Sequence, residues 1–208
     1  DCELRVLAAE LGIENVPYRG LMNKPPVDVS SQAIRRELSK CVMCRRCESA
    51  CNNTQTVGAL TGYKRGFAAK VSTAEGLPLA ETNCTYCGQC ANVCPTGAIT
   101  EISYVNQVWK ALQDPSKTVI VQTAPAVRVA IGQEFGFPPG KPVTGKLVAG
   151  LRSLGFDAVF DTNFGADLTI MEEAHEIVER LKSGTNLPIL TSCCPGWINF
   201  LEFQFPDL

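Results

Sequence analysis

The residues of this chain with the clearest chemical purpose are eight cysteines between positions 41 and 95, which form two runs of the same spacing. These runs are Cys41-Val-Met-Cys44-Arg-Arg-Cys47-Glu-Ser-Ala-Cys51 and Cys84-Thr-Tyr-Cys87-Gly-Gln-Cys90-Ala-Asn-Val-Cys94-Pro95. Thiolates are soft ligands suited to iron, and gaps of two residues let one tight loop point three sulfurs at a common centre. A four-iron cubane needs a fourth thiolate, which must come from elsewhere. The spacing therefore predicts two [4Fe–4S] clusters.

Both runs have the pattern C-x2-C-x2-C-x3-C, which is typical of bacterial two-cluster ferredoxins. In that pattern the last cysteine of each run binds the cluster of the other run, so the two runs are interlocked. The predicted ligands of cluster one are Cys41, Cys44, Cys47 and Cys94. The predicted ligands of cluster two are Cys84, Cys87, Cys90 and Cys51.

Zinc and disulfide bonds are the alternative uses of such cysteines. Paired C-x2-C knuckles also build structural zinc sites, but a zinc site leaves four of these cysteines unexplained. Disulfides are disfavoured because cysteines this close together on a tight loop pair poorly and nothing indicates a secreted chain.

Composition narrows the remaining function classes. The chain has 208 residues, of which 45% are hydrophobic, and this length is enough for one or two domains. Its formal net charge of -2 predicts no nucleic-acid partner. The absence of a membrane-length apolar run predicts no membrane insertion, and no signal-peptide pattern is present. We therefore expect a cytoplasmic protein; a periplasmic location stays open because the sequence begins at Asp1 without a methionine.

The first half of the chain is expected to hold the clusters on an α+β scaffold. Residues 1–30 are read as an N-terminal helix, over residues 1–12, and a connector. Residues 31–104 are read as a two-cluster ferredoxin-like domain, which starts with a short helix from Ser30 or Ser31 to Leu38. The glycine-rich and β-branched segment 57–71 predicts short strands or a hairpin between the runs.

The second half, residues 105–208, alternates strand and helix patterns. Predicted strands are 118–123, 157–162 and 187–191. Predicted helices are 105–112, the segment after Pro125 to residue 135, 144–154, 168–181 and 196–203. This alternation indicates an α/β domain with a parallel sheet, whose ligands usually sit at the carboxyl ends of the strands. Two of these ends carry conspicuous residues, at 123–125 and 191–197.

Three segments of this second half resemble the iron-only (FeFe) hydrogenases. They are Thr191-Ser-Cys-Cys-Pro-Gly-Trp197, Thr123-Ala-Pro-Ala-Val-Arg128 and Phe164-Gly-Ala-Asp-Leu-Thr-Ile-Met-Glu-Glu173. The resemblance covers essentially the whole chain and implies a catalytic subunit. In that family the active site is the H-cluster, a cubane bridged through a cysteine to a two-iron unit that carries carbonyl, cyanide and an azadithiolate.

The resemblance assigns roles to two neighbouring cysteines and a strand end. Cys194 corresponds to the ligand of the H-cluster cubane, and Cys193 to the thiol that exchanges a proton with the bridging amine. A thiol at a helix N-terminus has a lowered pKa, which suits this task. Ala124 and Pro125 correspond to the backbone beside the two-iron unit. On composition alone, adjacent cysteines read as a buried pair of small apolar residues.

The family's proton route corresponds here to Glu173, Glu176 and Arg180. Their spacing of three and four residues places them along one side of a helix. The alternative is an ordinary amphipathic helix with a Glu176–Arg180 ion pair, and only the resemblance favours the relay.

The resemblance also predicts that the chain is an internal fragment. The family uses three further H-cluster cysteines from two later loops, which do not occur before Leu208. Cys2 resembles the last ligand of an upstream module that binds a further 4Fe4S cluster in larger members.

The predicted activity is the reversible oxidation of H2 to protons and electrons, with single electrons passing through the two 4Fe4S clusters. Arg45 and Arg46, beside the first run, are expected to raise the potential of cluster one modestly. Expected partners are a ferredoxin or an NAD(P)-linked diaphorase-type subunit, and the hydrogenase maturation proteins. The alternatives are a non-catalytic hydrogenase-like sensor or an iron-sulfur electron-transfer protein. The presence of Cys193 favours the enzyme, because such relatives often lose this thiol.

Overall fold

A computed structural model describes residues 3–20 and 25–208 of the chain. Two compact units are present: the first extends to Ile102 and also includes Thr191–Leu208, and the second is Ser103–Leu190. Cys2, and with it the predicted upstream cluster ligand, lies outside the described residues. Of the helices that the structure describes, none combines the length and the apolar character needed to cross a bilayer.

The first unit is built from short elements. Its helices are α1 (Glu3–Glu10), α2 (Arg46–Ser49), α3 (Gln89–Asn92) and, near the end of the chain, α8 (Pro195–Gln204). Its strands are β1 (Ile34–Arg36), β2 (Thr61–Tyr63), β3 (Lys70–Ser72) and β4 (Ile99–Glu101). Strand β1 pairs antiparallel with β4, and β2 with β3, so the hairpin predicted between the cysteine runs is confirmed. Short 3-10 helices and a π-helical turn, Ala50–Thr54, complete the unit.

The core of this unit is shared between apolar side chains and cysteines. Its buried members are Ile34, Cys47, Leu60, Val71, Leu79 and Ile99. Partly buried side chains packed on them include Cys51, Cys84, Cys90 and Cys94. Packing and metal binding therefore depend on the same small volume.

The helix predicted from Ser30 or Ser31 to Leu38 is wrong. The segment instead forms strand β1 and a 3-10 helix, Leu38–Lys40. The Ser31 hydroxyl accepts from the backbone N–H groups of Ala33 (3.1 Å) and Ile34 (3.0 Å), which closes a turn rather than capping a helix. Ile34 and Arg36 are both buried with a half-exposed residue between them, which is the alternation of a strand.

The second unit has a two-stranded parallel sheet, with helices that follow its strands. Its strands are β5 (Ile120–Thr123) and β6 (Ala158–Asp161). Its helices are α4 (Val105–Leu112), α5 (Val127–Ala130), α6 (Thr144–Ser153) and α7 (Thr162–Ser183). The predicted α/β character with a parallel sheet is confirmed.

Three details of this half of the chain differ from the sequence prediction. The strand predicted at 187–191 is wrong, because no strand forms there and Pro188 has no N–H to give to a ladder. The helix predicted after Pro125 breaks into α5 and a 3-10 helix, Ile131–Phe135. Helix α7 is longer than predicted, since the Asp161 side chain caps it by accepting from the Asn163 N–H.

Candidate metal centres and the cysteine-pair loop

The two cysteine runs share one backbone geometry. The residue before the second cysteine and the residue after it have positive φ in both runs: Met43 (57°) and Arg45 (61°) in the first, Tyr86 (57°) and Gly88 (78°) in the second. These left-handed residues turn the chain sharply, so successive thiols of one loop can face the same side. The Met43 N–H also points at Cys41 Sγ, at 3.4 Å.

Two separate cavities collect the eight thiols. Cavity one is lined by Cys41, Cys44, Cys47 and Cys94, together with apolar residues such as Leu38, Val71 and Ile99. Cavity two is lined by Cys51, Cys84, Cys87 and Cys90, together with Ile34, Arg36, Leu60 and Leu79. Each cavity thus takes three thiols from one run and the last thiol of the other, which are the two ligand sets expected from the spacing.

The electrostatics of the thiols follow the same grouping. Burial raises the pKa of Cys47 to about 11, and the nearby Cys41, Cys94 and Cys44 act in the same direction. Burial likewise raises the pKa of Cys90 to about 12, with smaller contributions from Cys84, Cys87, Cys47 and Cys51. Thiols that disfavour one another's charge need a cationic centre to hold them together as thiolates.

Cys94 is surrounded by donors. Burial raises its pKa, but the N–H groups of Ile99, Thr96 and Ala98 and the Thr96 hydroxyl outweigh this, so that the pKa of Cys94 lies below its usual value. Donors directed at a cysteine sulfur are what tunes an iron–sulfur cluster.

The donor set fits two cubanes. The ten cysteines at 41–94 and 193–194 are free thiols. Within the described ranges, no three histidine, cysteine or carboxylate side chains form a group that could hold a single metal ion. Four thiols in each cavity, with backbone N–H groups beside some of the sulfurs, match what a [4Fe–4S] cluster requires.

The cationic side chains near the cavities differ in their exposure. Arg45 lines cavity one, but 61% of its side chain is exposed, and it pairs with Glu48 through Nε (2.6 Å) and Nη2 (2.7 Å). Arg46 is also exposed and pairs with Glu3. Sequence reasoning named these two and missed Arg36, which is buried and lines cavity two. The spacing of Ile34 and Arg36, two positions apart and therefore on the same face of a strand, was the signal that could have predicted the burial of Arg36.

The loop that carries Cys193 and Cys194 leads into α8. Cys194 is the N-cap residue of α8, its N–H donates to Ser192 Oγ at 3.1 Å, and both cysteines are exposed. A Cβ on Gly196 would lie 3.3 Å from the Thr85 carbonyl oxygen and 3.7 Å from Cys87 Cα. Glycine thus permits a close approach that brings the start of α8 against the second cysteine run.

The other residues of the predicted active site lie in the second unit. Ala124 and Pro125 follow strand β5 and are exposed. Thr123, the last residue of β5, is buried, and its carbonyl oxygen accepts a hydrogen bond from Thr162 Oγ1 at 2.5 Å. Sequence reasoning missed the role of Arg128, which donates to Asp161 Oδ2 (3.3 Å) and Asn163 Oδ1 (2.9 Å). These bonds tie the segment after β5 to the start of α7.

The predicted proton route lies on α7. Arg180 forms an ion pair with Glu176 and donates to the Asn186 carbonyl at 3.2 Å, and Glu173 is half-buried one turn earlier. The three side chains follow the helix as the spacing predicted, whereas Cys193 belongs to the first unit. Their role in proton transfer stays a prediction.

Comparison with known proteins assigns both halves of the chain. Residues 40–98 match the 4Fe-4S dicluster domain, and residues 117–208 match the C-terminal domain of the iron only hydrogenase large subunit. The chain is 54% identical over 215 residues to the NADP-reducing hydrogenase subunit HndD of Solidesulfovibrio fructosivorans, which covers 100% of this chain and 37% of that protein.

Two further relatives are similar to this chain at lower sequence identity. Iron hydrogenase 1 of Clostridium pasteurianum is 42% identical over 182 residues, which are 88% of this chain and 32% of the relative. Cytosolic iron-sulfur assembly component 3 of Bos taurus is 30% identical over 152 residues, which are 68% of this chain and 30% of the relative. The chain spans about a third of the length of these relatives. From its two domains and these identities, the chain belongs to the iron-only hydrogenase large-subunit family.

Proposed function

We propose that this chain is part of the catalytic subunit of an FeFe hydrogenase that interconverts H2 with two protons and two electrons. Clusters one and two carry the electrons singly between an external carrier and the H-cluster. The observation that carries this proposal is the division of the eight thiols into two cavities, each completed by the last cysteine of the other run. The loop at 191–197 supports it, because Gly196 holds the start of α8 against the run that contains Cys87.

The chain contributes defined groups to the H-cluster. We assign the exposed Cys194 thiol, at the N-cap of α8, as a ligand of the H-cluster, and the exposed Ala124 and Pro125 as the residues whose backbone would lie beside its two-iron unit. When bound, the H-cluster supplies the iron at which H2 is cleaved. Cys193 is the thiol that takes up and releases the proton.

Onward proton movement is assigned to α7. Glu173, Glu176 and Arg180 follow one another along the helix, and the Glu176–Arg180 pair already holds a hydrogen bond through which a carboxylate can be oriented. Carboxylates serve this role well because they exchange protons rapidly and sit on a rigid element.

We propose an NADP-linked diaphorase-type subunit as the electron partner, on the strength of the similarity to the subunit HndD of an NADP-reducing hydrogenase. A ferredoxin is the alternative carrier. Hydrogenase maturation proteins are the expected suppliers of the two-iron unit. The proposed location is the cytoplasm.

The two-cluster part of the proposal is tested by iron and sulfide analysis of the anaerobically reconstituted chain. We expect eight iron atoms and eight sulfides per chain, which corresponds to two cubanes. A stoichiometry near four, in a fully reduced and folded sample, would contradict it. The catalytic part is tested by infrared spectroscopy of the matured full-length subunit, where bands of bound carbonyl and cyanide are expected and their absence removes the hydrogenase assignment.

Substitution of the two cysteines at the start of α8 should have different effects in the full-length subunit. Cys193→Ala is expected to keep the infrared bands and lose about 100-fold or more in H2 turnover, a loss typical of a missing acid–base group. Cys194→Ala is expected to lose the bands, since it removes a ligand. Unchanged turnover in C193A would refute its role as the proton carrier.

A non-catalytic iron–sulfur protein is the second candidate function, because the assembly component from Bos taurus is also similar to this chain. The two candidates differ in one measurement. An iron–sulfur protein of that kind binds its cubanes and shows no H2 turnover after maturation, whereas the hydrogenase shows both.

A further inference from the structure

Arg36 is a buried guanidinium at the wall of cavity two. Strand β1 turns it toward the interior, where only 4% of the side chain is exposed. Nε and Nη2 donate to Asp28 Oδ2 at 3.0 and 2.6 Å, and Nη2 lies 3.5 Å from the Leu77 carbonyl. The backbones of Arg36 and Asp28 also form two hydrogen bonds with each other, each of 2.9 Å. The Cα end of the Arg36 side chain is therefore held in place.

The third guanidinium nitrogen has no such partner. Nη1 is the one buried side-chain nitrogen or oxygen without a hydrogen bond in the part of the chain that the structure describes. Arg36 lines cavity two beside Cys51, Cys84, Cys87 and Cys90.

A buried charged donor without an acceptor is strongly disfavoured, so natural proteins supply one. The cavity that Arg36 lines offers sulfur as the acceptor once a cubane is bound. Asp28 approaches the guanidinium through Nε and Nη2, the nitrogens other than Nη1, and is absent from the lining of the cavity. Of the two partners in this ion pair, Arg36 alone lines cavity two.

We propose that Arg36 donates Nη1–H hydrogen bonds to the sulfur of cluster two and raises the reduction potential of that cluster above the value it would have without this side chain. This rests on the proposed two-cluster function. Reduction adds one electron, and so one negative charge, to the cubane. A positive donor in a region shielded from water favours the reduced form, because hydrogen bonds to the sulfurs and burial both set the potential.

Cluster one has no counterpart to this arrangement among the residues that line its cavity. Its arginine, Arg45, is mostly exposed and has its charge matched by two bonds to Glu48. Water and the carboxylate screen it, so its effect on a potential is small. We therefore assign the electrostatic difference between the two clusters to Arg36.

The test is an EPR-monitored redox titration of the reconstituted chain. Arg36→Gln removes the charge and is expected to lower the equilibrium constant for reducing cluster two at least tenfold, which for one electron is a fall of about 59 mV. Asp28→Asn removes the opposing charge and is expected to shift the same potential upward. The matched control is Arg35→Gln, at the neighbouring strand position, where the side chain is 37% exposed and pairs with Glu37; no shift is expected.

Cys87→Ser identifies which of the two signals belongs to cluster two. A potential of cluster two in R36Q equal to that of the unmodified chain overturns the proposal, as does an equal shift of both clusters. If R36Q does not assemble its clusters, D28N decides: an upward shift of cluster two alone supports the role of Arg36, and no shift or a downward one refutes it. Fewer than eight iron atoms in the unmodified chain would instead refute the two-cluster function on which this inference rests.

Discussion

At the scale of single residues, Asp28 organises the first unit. Its Oδ2 accepts from the Arg36 guanidinium and from the Leu79 N–H at 3.0 Å, and its Oδ1 accepts from the N–H and hydroxyl of Ser30. Burial raises the pKa of Asp28, but these hydrogen bonds outweigh burial and lower the pKa to about 2. The ionised form of the Asp28 carboxylate is therefore more stable in the folded chain than in the unfolded chain, so ionisation stabilises the fold.

We expect Asp28→Asn to lower the free energy of unfolding at pH 7 by about 2 kcal/mol, as the pKa difference between the folded and unfolded chain implies. Since the folded pKa lies below the unfolded value of 3.8, this stabilisation is fully present above about pH 5 and is lost as the pH falls toward 2.

The measurement is urea denaturation of both chains with their clusters bound, at pH 7 and at pH 5, where the thiolates still hold iron. The gap between the two midpoints should be the same at these two pH values, because both lie above the unfolded pKa of Asp28. A gap that widens in acid would contradict the assigned cause.

At the scale of elements, the two cysteine loops use the same left-handed positions with different residues. Gly88 has φ 78°, and its counterpart Arg45 has φ 61°. An ideal Cβ on Gly88 meets nothing within 4 Å, so any cost of a side chain there comes from the backbone conformation alone. Arg45 shows that the loop tolerates this cost.

Gly88→Ala is accordingly expected to destabilise the first unit by about 1 kcal/mol. The matched control is Gly150→Ala in α6, where a Cβ also meets nothing within 4 Å but φ is not positive. That change should stabilise the second unit by about 1 kcal/mol, because alanine is the better helix former. The midpoints of urea denaturation for the two variants should move in opposite directions, and a shift of both in the same direction would contradict the role assigned to φ.

Helix α7 carries both a candidate relay residue and its own control. Exposed Glu176 pairs with half-buried Arg180. Glu179 lies near the solvated His175, with 4.0 Å between Glu179 Oε1 and His175 Nε2. Exposed ion pairs contribute little to stability, so neither carboxylate is expected to matter for folding.

In the full-length matured subunit, Glu176→Gln is expected to lower H2 turnover about 100-fold, the scale of a lost proton-transfer group, and to change the unfolding free energy by less than about 0.5 kcal/mol. Glu179→Gln, with the same change of charge on the same helix, should leave turnover unchanged. Equal turnover losses in E176Q and E179Q would indicate a general charge effect and count against the relay.

At the scale of the whole molecule, the two cavities are linked because each takes one thiol from the other cysteine run. Cys51 leaves the first run to line cavity two, and Cys94 leaves the second run to line cavity one. A substitution in one cysteine run should therefore affect the metal centre that is formed mainly by the other run.

Cys51→Ser should therefore alter the EPR signal of cluster two and spare cluster one, although Cys51 lies in the first run. Cys94→Ser should do the reverse. Iron analysis of either variant is expected to show at least the four atoms of the undisturbed cubane. If C51S instead changes the signal of cluster one, the ligand sets must be reassigned.

The cysteine spacing predicted both thiol groups. Hydrophobic periodicity predicted most helices, and short runs of apolar residues predicted the two parallel strands. The sequence could not reveal β1, since its three residues are too short for periodicity and depend on pairing with β4, more than sixty positions away. The burial of Arg36 beside cavity two could not be predicted for the same reason, because it depends on the formation of strand β1. The network of Arg128, Asp161 and Asn163 also needs contacts between distant segments.

The sharing of the apolar core with the thiols has a practical consequence for handling this protein. Cys47 belongs to the same cluster of side chains as Ile34, Leu60 and Val71. A chelator or an oxidant that strips iron therefore acts on the first unit as a denaturant does, by removing what holds its interior together. Residues 103–190 contain no cysteine, so the parallel-sheet unit has no thiol ligand whose loss of iron would remove part of its own interior.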